Sequence, residues 1–581
     1  MTKNLDFFHL ALAPGMEAEL LPVKTCDSVS EYTFRLTWTE ENAARDDAFR
    51  FRWNVPMLGI MYGWSPMGSV YRTIDPDWCG EKKSMISSGA PVTCYYDGKG
   101  INRYCVALSE AKMLTSVQNG VVEENGTLTL RYAMGVKQFT ARYETALTIR
   151  IDTGSVPMYE AVASVSAWWE SLGLTPAFVP EDAKKPCYSF WYSYHQNVND
   201  RDVEEECRRA KALGFDVCII DDGWQTDDGN RGYAFCGDWN PTRAKFPDMA
   251  AHVKRVHDIG MKYILWYGVP FMGEYAEHFE EYRPMILRKN RGKEYFLDPR
   301  YKKVRDYLLN IYLSALESWD LDGFKLDFID SWQDHPDNAP YSPGMDIPSL
   351  QDAVDVFMTT VITELKKRKP DILLEFRQSY VGPHMRTFGN MFRVGDCPLD
   401  YIKNRVGVLD LRMAMGSSAV HSDMLMWHPE ETPERNALQI IAILFGVMQY
   451  SARLDTLNAE TEKMSRFWMN FMKEKQSVLL GGKLRCYDPH FCYTWAQAVT
   501  DEESAAAVYA PDKCIAPEAR DTLYIANGTE CDRVLCELCG AYHVTVFNCC
   551  GETISEEDMS LSGVNVLPIP AGGLAVLKKE A

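Results

Sequence analysis

"DGFKLDF" occupies residues 322–328 and reads as a short strand bounded by Asp322 and Gly323. Side chains alternate faces along a strand, so Phe324, Leu326 and Phe328 should point one way and Lys325 and Asp327 the other. A strand this apolar with a cation and an anion on its second face admits three readings. The charges form a buried ion pair that fixes the strand, although removing such a pair from water is costly. The strand is a solvated edge. Or the second face lines a site in which a neighbouring cation tunes a carboxylate. These seven residues leave all three open.

Outward from this strand the chain alternates strand and helix. "KKVRDYLLNIYLSALESW" (302–319) reads as a helix, and another near 350–368 precedes the strand "DILLEF" (371–376). Upstream, "CYSFWYSY" (187–194), "FDVCIIDDG" (215–223) and "MKYILWYG" (261–268) read as strands. Between them, "DVEEECRRAKALG" (202–214) and "DMAAHVKRVHDIG" (248–260) read as helices that end in Gly, the second opened by an Asp cap. "FRVGD" (392–396), "GSSAVHSD" (416–423) and an apolar stretch at 437–450 follow. About eight β–α units over roughly 270 residues suit a (β/α)8 barrel. A doubly wound open sheet is the alternative. No GxGxxG follows the first strand, so nucleotide binding has no support.

The flanks have a different period. Before about residue 155, "YTFRLTW" (32–38) and "ALTIRID" (146–152) alternate as strands, and "EENGTLTLRY" (123–132) carries an Asn-Gly hairpin signal. A helix at 158–173 and a Pro-marked linker to Pro186 follow. Past about residue 475 short strands return, with Gly and Pro turns. A chain of 581 residues is too long for one core of ordinary size. The expected fold is α/β: a central (β/α)8 TIM barrel at 181–475. An N-terminal β-sandwich plus linker helix is expected at 1–180, and a small C-terminal antiparallel β-domain at 476–581.

A net charge of -20, with no clustered basic segment, disfavours nucleic acid and anionic lipid as partners. The N-terminal stretch has no apolar leader, and "IIAILFGVM" (440–448), among the longest apolar runs, is about half a membrane span. These features predict a soluble, cytoplasmic chain that does not bind membrane. The 17 Cys are then expected to be reduced thiols. Their densest group, 531–550, has one CxxC (Cys536, Cys539) followed by the adjacent pair Cys549–Cys550, which is not a repeated zinc knuckle. His252 and His257 fall on a helix that should pack outside the barrel. No metal and no organic cofactor is expected. Aromatics at 12% suit both a sugar-stacking site and a large core.

Catalytic groups of a (β/α)8 barrel sit at the C-terminal ends of its strands. "CIIDDGW" ends in Asp221, Asp222 and Trp224, and "YILWYG" carries Trp266. "LLEFRQS" carries Glu375 and Arg377, "FRVGD" ends in Arg393 and Asp396, and "AVHSD" in His421 and Asp423. One such residue is explained by a turn or helix cap; the same habit in five strands is not. No Ser-His-Asp order stands out. Facing carboxylates with aromatics describe glycoside hydrolysis best.

Here the residues carry a family likeness. "IIDDGWQ" (219–225), "GDWNPTRAKFP" (237–247), "LDP" (297–299), "GFKLDF" (323–328) and "RVGD" (393–396) together resemble glycoside hydrolase family 36 and its relatives. These include α-galactosidases, α-N-acetylgalactosaminidases and raffinose-synthase-like proteins. The resemblance implies Asp327 as nucleophile and Asp396 as general acid/base. It implies Asp221 and Asp222 as the grip on the sugar's 4- and 6-hydroxyls, and Lys325 on ring hydroxyls. Trp191 and Trp266 would be aromatic walls, and Arg393 a sugar contact beside the acid/base. The segment "EFRQSYVGPH" (375–384) departs from the Cys- and Gly-rich segment of many bacterial members. Arg377 to Tyr380 within it should decide the 2-substituent, with Arg377 a substrate contact.

The expected chemistry is a double displacement with retention by an exo-acting α-galactosidase, its carboxyl groups ~5–5.5 Å apart. Asp327 should be ionised, its pKa lowered by the adjacent Lys325, and Asp396 should begin protonated. α-N-Acetylgalactosaminidase, a galactosyltransferase of the raffinose-synthase kind and a sugar-binding protein on an inactive barrel are the rivals. The partner is a carbohydrate. Homo-oligomers are common among enzymes of this size, but no interface is legible.

Overall fold

The computed structural model describes residues 2–39, 48–135 and 143–580. Its centre is a sheet of eight parallel strands: Cys187–Ser189, Val217–Ile220, Lys262–Gly268, Gly323–Asp327, Leu373–Arg377, Met391–Arg393, Ala419–His421 and Gln449–Tyr450. The first strand pairs with the eighth, and a bridge from His421 to Val447 joins the seventh to the segment that enters the eighth. The sheet therefore closes into a (β/α)8 barrel, as the sequence predicts.

Period-two alternation gives the barrel's interior two layers. Ile264, Leu373, Met391 and Ala419 belong to one small apolar cluster with Cys187 and Ile219. Two residues further along the same strands stand Trp266, Glu375, Arg393 and His421. On the fourth strand Gly323 precedes Lys325 by the same step. A Cβ at Gly323 would lie 2.2 Å from the Leu373 carbonyl oxygen, so that close approach requires glycine. The apolar layer plugs the lower barrel, and the polar layer above faces the open end.

Outside the barrel, the helix Asp200–Leu213 is capped by Asn199 and ends at Gly214 with φ 117. Met249–Ile259 is capped by Asp248 and ends at Gly260 with φ 92. Both match their sequence signals. "CYSFWYSY" does not stay extended: the strand stops at Ser189 and Trp191–Tyr194 is helical. The backbone N–H groups of Tyr192 and Ser193 donate to Ser451 Oγ beyond the eighth strand, which turns the aromatic run across the barrel mouth. Between the third and fourth strands lies an unanticipated antiparallel sheet of Phe271–Gly273, Ile286–Lys289 and Glu294–Leu297.

Asp322 ties down the entry to the fourth strand. It accepts from His257 Nε2 (2.7 Å), Lys262 Nζ (3.0 Å) and the Tyr263 N–H (2.9 Å). Burial pushes its carboxyl up, but His257, the Tyr263 N–H, Lys369 (3.3 Å) and Lys262 outweigh that and hold it well below the usual carboxylate range. A depressed folded-state pKa adds stability above the unfolded value, and that stability is lost as pH falls through the folded value. Asp322→Ala should therefore destabilise the protein by about 3 kcal/mol at neutral pH. In urea titrations the gap to wild type should narrow below about pH 4. An unchanged midpoint at pH 7 would refute this role.

The N-terminal region forms two facing seven-stranded sheets around a core that includes Phe8, Phe34, Phe51, Trp53, Leu130 and Ile149. The Asn125-Gly126 signal is a turn between Gly120–Val122 and Thr127–Gly135, with Gly126 at φ 65. The helix Met158–Ser171 joins sandwich to barrel: Trp169 Nε1 donates to the Leu108 carbonyl and Ser166 Oγ to the Ala414 carbonyl. A second seam lies near the barrel mouth. The Gly89 N–H donates to the Ser379 carbonyl (2.7 Å), and Ser88 Oγ to Ser379 Oγ (3.1 Å).

The C-terminal strands form a seven-stranded and a three-stranded sheet. The sequence suggested antiparallel pairing, but Glu503–Val508 runs parallel to Thr522–Asn527. Residues 509–521 return the chain to its starting end and place Cys514–Ile515 in the second sheet on the way. Among the described residues no helix is long and apolar enough to cross a membrane.

Candidate active site

A cavity of about 310 Å³ opens at the C-terminal ends of the barrel strands. It is lined by Trp191, Asp221, Asp222, Trp266, Lys325, Asp327, Arg377, Arg393 and Asp396, together with Tyr233 and Phe328. All nine residues to which the resemblance gave a role thus line one cavity, whereas the other strand-end candidates, Trp224, Glu375, His421 and Asp423, do not line it.

Asp327 ends the fourth strand. Its Oδ2 accepts from Trp266 Nε1 (3.1 Å), and its Oδ1 from Arg377 Nε (2.6 Å) and the Phe328 N–H (2.8 Å). Burial alone would raise its pKa. Arg377, then Lys325 and the Trp266 N–H, reverse this and hold it well below the usual range. Asp327 is therefore ionised, but the dominant cation is not the one inferred from sequence. Lys325 Nζ instead binds Asp221 Oδ2 across the barrel at 2.5 Å. Strand neighbours on one face are separated along the strand, whereas Asp221 and Lys325 meet across the barrel's narrow interior.

Phe328 also departs from its expected side. The strand stops at Asp327, and Phe328 has φ 62. This left-handed turn takes its ring off the Phe324–Leu326 face and into the cavity wall. The Arg377 guanidinium lies over the Phe328 and Tyr380 rings at 5.3 and 5.5 Å. It also bonds both carboxyl oxygens of Asp330 at 3.2 Å, and Ser379 Oγ donates to Asp330 (3.1 Å). Asp330 was not singled out from sequence, because nothing local marks it as the partner of a residue on the next strand.

Asp222 is gripped by Gln196 Nε2 on Oδ2 and Gln225 Nε2 on Oδ1, each at 2.6 Å. Burial pushes its carboxyl up to about 7, with the two glutamines opposing and Asp221 adding to the rise. Tyr233, from the segment after the second strand, stacks on Phe271 at 4.5 Å and faces Trp266, so the unanticipated sheet backs one aromatic wall.

Arg393 lies on the floor, fully buried, and donates to Asp396 Oδ1 (2.9 Å) and Asp423 Oδ1. Glu375 is 3.7 Å from its Nε and accepts from Gln449 Nε2. Burial raises the Glu375 carboxyl. Asp396 stands at the rim with its side chain 56% exposed. The sequence suggested that it begins protonated. In the free site burial does push it up, but Arg393 and then Lys325 outweigh burial and hold it below the usual range. His421, beneath, is pushed down to about 4 by burial, and its Nε2 lies 2.8 Å from the Ala183 carbonyl, so it is a neutral structural residue. Among the described residues no cluster of His, Cys, Asp or Glu could hold a metal.

Residues 181–382 match the Melibiase family. Alpha-galactosidase Mel36A of Lactobacillus acidophilus is 28% identical over 200 residues, which is 32% of this chain and 26% of that protein. The matched stretch thus spans about a quarter of that relative's length. The crystal structure of family 36 α-galactosidase AgaA from Geobacillus stearothermophilus superposes with a TM-score of 0.66 at 14% identity, over 95% of this chain and 80% of that one. An AgaA variant in complex with raffinose matches similarly, with a TM-score of 0.65 at 14% identity over 95% of this chain and 80% of that one. Fold, motif order and the melibiase match agree: residues 181–382 are similar to the Melibiase family, on a fold shared with family 36 α-galactosidase structures.

Proposed function

We propose that the chain is a retaining, exo-acting α-galactosidase that hydrolyses terminal α-linked galactose by double displacement. The observation that carries this reading is the placement of Asp327 and Asp396 on one cavity, the first buried and paired, the second at the rim. The cavity floor of Lys325 and Arg393 rests on the apolar plug, so the pocket has a dead end that suits one terminal sugar. Asp221, Asp222 and Lys325 hold the ring hydroxyls, while Trp191, Trp266 and Tyr233 supply apolar faces.

Asp327 attacks the anomeric carbon and forms a covalent glycosyl-enzyme as Asp396 donates a proton to the leaving oxygen. Bound sugar displaces water and favours the protonated form of Asp396, and the negative charge of Asp327 adds to this. Once Asp327 is esterified that charge is gone. Arg393 then draws Asp396 back to its anion, the form that activates water.

Arg377 supports galactose over its 2-acetamido analogue. Held between Asp327 and Asp330, it fills the space beside the nucleophile, where a 2-substituent would lie. Proton NMR of parallel reactions on an aryl α-galactoside and an aryl α-N-acetylgalactosaminide tests the whole reading. The galactoside should be cleaved with the α-anomer appearing first. First appearance of the β-anomer would sink the double displacement, and cleavage of the second substrate alone would reverse the specificity. Slow release with transfer at high acceptor concentration would identify a transferase.

The Asp222 pKa gives a binding prediction. Above about pH 7 Asp222 is an ionised acceptor; below it the carboxyl carries a proton. Galactose affinity measured by calorimetry should fall as pH drops through that value, and Asp222→Asn should remove this dependence. A wild-type affinity flat between pH 6 and 8 would refute the assignment of this titration to sugar binding.

A further inference from the structure

Asp423 lies just beyond the seventh strand, is fully buried and does not line the cavity. Every group directed at its carboxylate is a donor: Arg393 Nη1 to Oδ1, and Tyr192 OH (3.0 Å) and the Cys397 N–H (2.7 Å) to Oδ2. Three donors with no acceptor among these contacts describe an anion, held by Arg393 and the Cys397 N–H against burial, which raises its carboxyl above the usual carboxylate value. Its own backbone is clasped by Asn404, which accepts from the Asp423 N–H (2.9 Å) and donates to the Asp423 carbonyl (3.0 Å). The anion is thus fixed to the barrel wall.

Two of those contacts flank Asp396. Arg393 Nη2 reaches Asp396 while Nη1 is held by Asp423, and Cys397 is the residue after Asp396. We propose that Asp423 is the positioning residue of the acid/base: it anchors both the guanidinium and the backbone beside Asp396, and keeps Arg393 from pairing with Asp396 alone. This rests on the α-galactosidase reading above and assigns Asp423 a part in the proton cycle of that site. Sharing matters because Arg393 undivided would keep Asp396 an anion and deprive the leaving oxygen of its proton. The charged and titratable groups that face Asp396 are Arg393 from the sixth strand, Lys325 and Asp327 from the fourth, and the neutral Tyr192 from the helical turn after the first; Asp423 and Glu375 act through Arg393.

The sign follows from the charges. Asp423→Asn removes the competing anion, Arg393 then holds the Asp396 carboxylate more strongly, and Asp396 loses its proton at lower pH. The alkaline limb of kcat reports the acid in the substrate complex, so it should move down by about 0.5 unit or more. An alkyl α-galactoside needs the proton and a dinitrophenyl α-galactoside does not. The loss of kcat/KM on the first should exceed that on the second by about tenfold or more. Equal losses with an unmoved limb would show a purely structural role and overturn the proposal.

If Asp423→Asn does not fold, Tyr192→Phe removes one donor to Asp423 Oδ2, leaves that anion a stronger competitor for Arg393, and should move the limb in the opposite direction by less. An unmoved limb in that folded variant also overturns the proposal. Should wild type turn over no α-galactoside, the function reading fails separately. The anchor is then read by NMR from the Arg393 Nη–H protons, identified by their absence in Arg393→Lys. Protection in wild type that is lost in Asp423→Asn supports the proposal, and equal protection in both refutes it.

Discussion

Asp327→Ala is expected to lower kcat/KM on an aryl α-galactoside by about 10⁴-fold or more while the protein stays folded. The rate loss follows from the nucleophile's absence. The fold should survive because Arg377, although it loses its 2.6 Å contact to Asp327, keeps Asp330 and the Gln378 carbonyl. The consequence is two N–H groups that lose their acceptor, those of Trp266 and Phe328, each worth about 1–3 kcal/mol. Thermal melting beside the activity assay separates the two effects, and near wild-type turnover would end the assignment. Azide adds a stereochemical readout. In the space vacated by the carboxylate it should attack the galactoside directly and give the β-galactosyl azide, by a single inversion.

Asp396→Ala should behave differently in kind. Loss of the acid should cost about 10²–10⁴-fold on substrates with poor leaving groups and much less on a dinitrophenyl galactoside. The glycosyl-enzyme would then accumulate, because no base activates water. Azide should attack that intermediate from the face the leaving group has left and give the α-galactosyl azide. The two variants therefore make opposite anomers from the same reagents. If Asp396→Ala gave no rescue, or gave the β-anomer, the acid/base assignment would fail. Asp396 is more than half exposed at the rim, so its removal leaves no buried partnerless charge except on Arg393, which Asp423 still holds.

The legible part of this site was its inventory, and the hidden part was its wiring. Alternation along single strands was enough to send Lys325, Asp327 and Arg393 to the interior, because the side-chain period of a strand is local. Pairing inside a closed barrel is not local. Lys325 meets Asp221 from 104 residues away, and Arg377 meets Asp330 from 47. Sequence proximity therefore credited Lys325 with holding Asp327 ionised, where Arg377 is the larger cause and Lys325 the second. Phe328 shows a second limit: a single left-handed residue ends the alternation, and nothing about a Phe announces it. Trp191 was assigned to a strand on its aromatic neighbours and lies on a helical turn, yet reaches the cavity all the same. Tyr233 was missed because the wall it forms depends on a sheet inserted between the third and fourth strands.

The contact of Gly89 and Ser88 with Ser379 has a consequence for how such chains can be recombined. Ser379 bonds Asp330, Asp330 bonds Arg377, and Arg377 bonds Asp327. The sandwich is therefore not an appendage hung on a self-sufficient catalyst. It is a load applied to the far end of a short lever whose near end is the reacting carboxylate. A chimera that joins this barrel to a relative's sandwich would inherit the chemistry only if both sides of that seam travelled together. Drift at 85–89 is thus constrained by the loop at 378–382, and each can change only as fast as the other accommodates it.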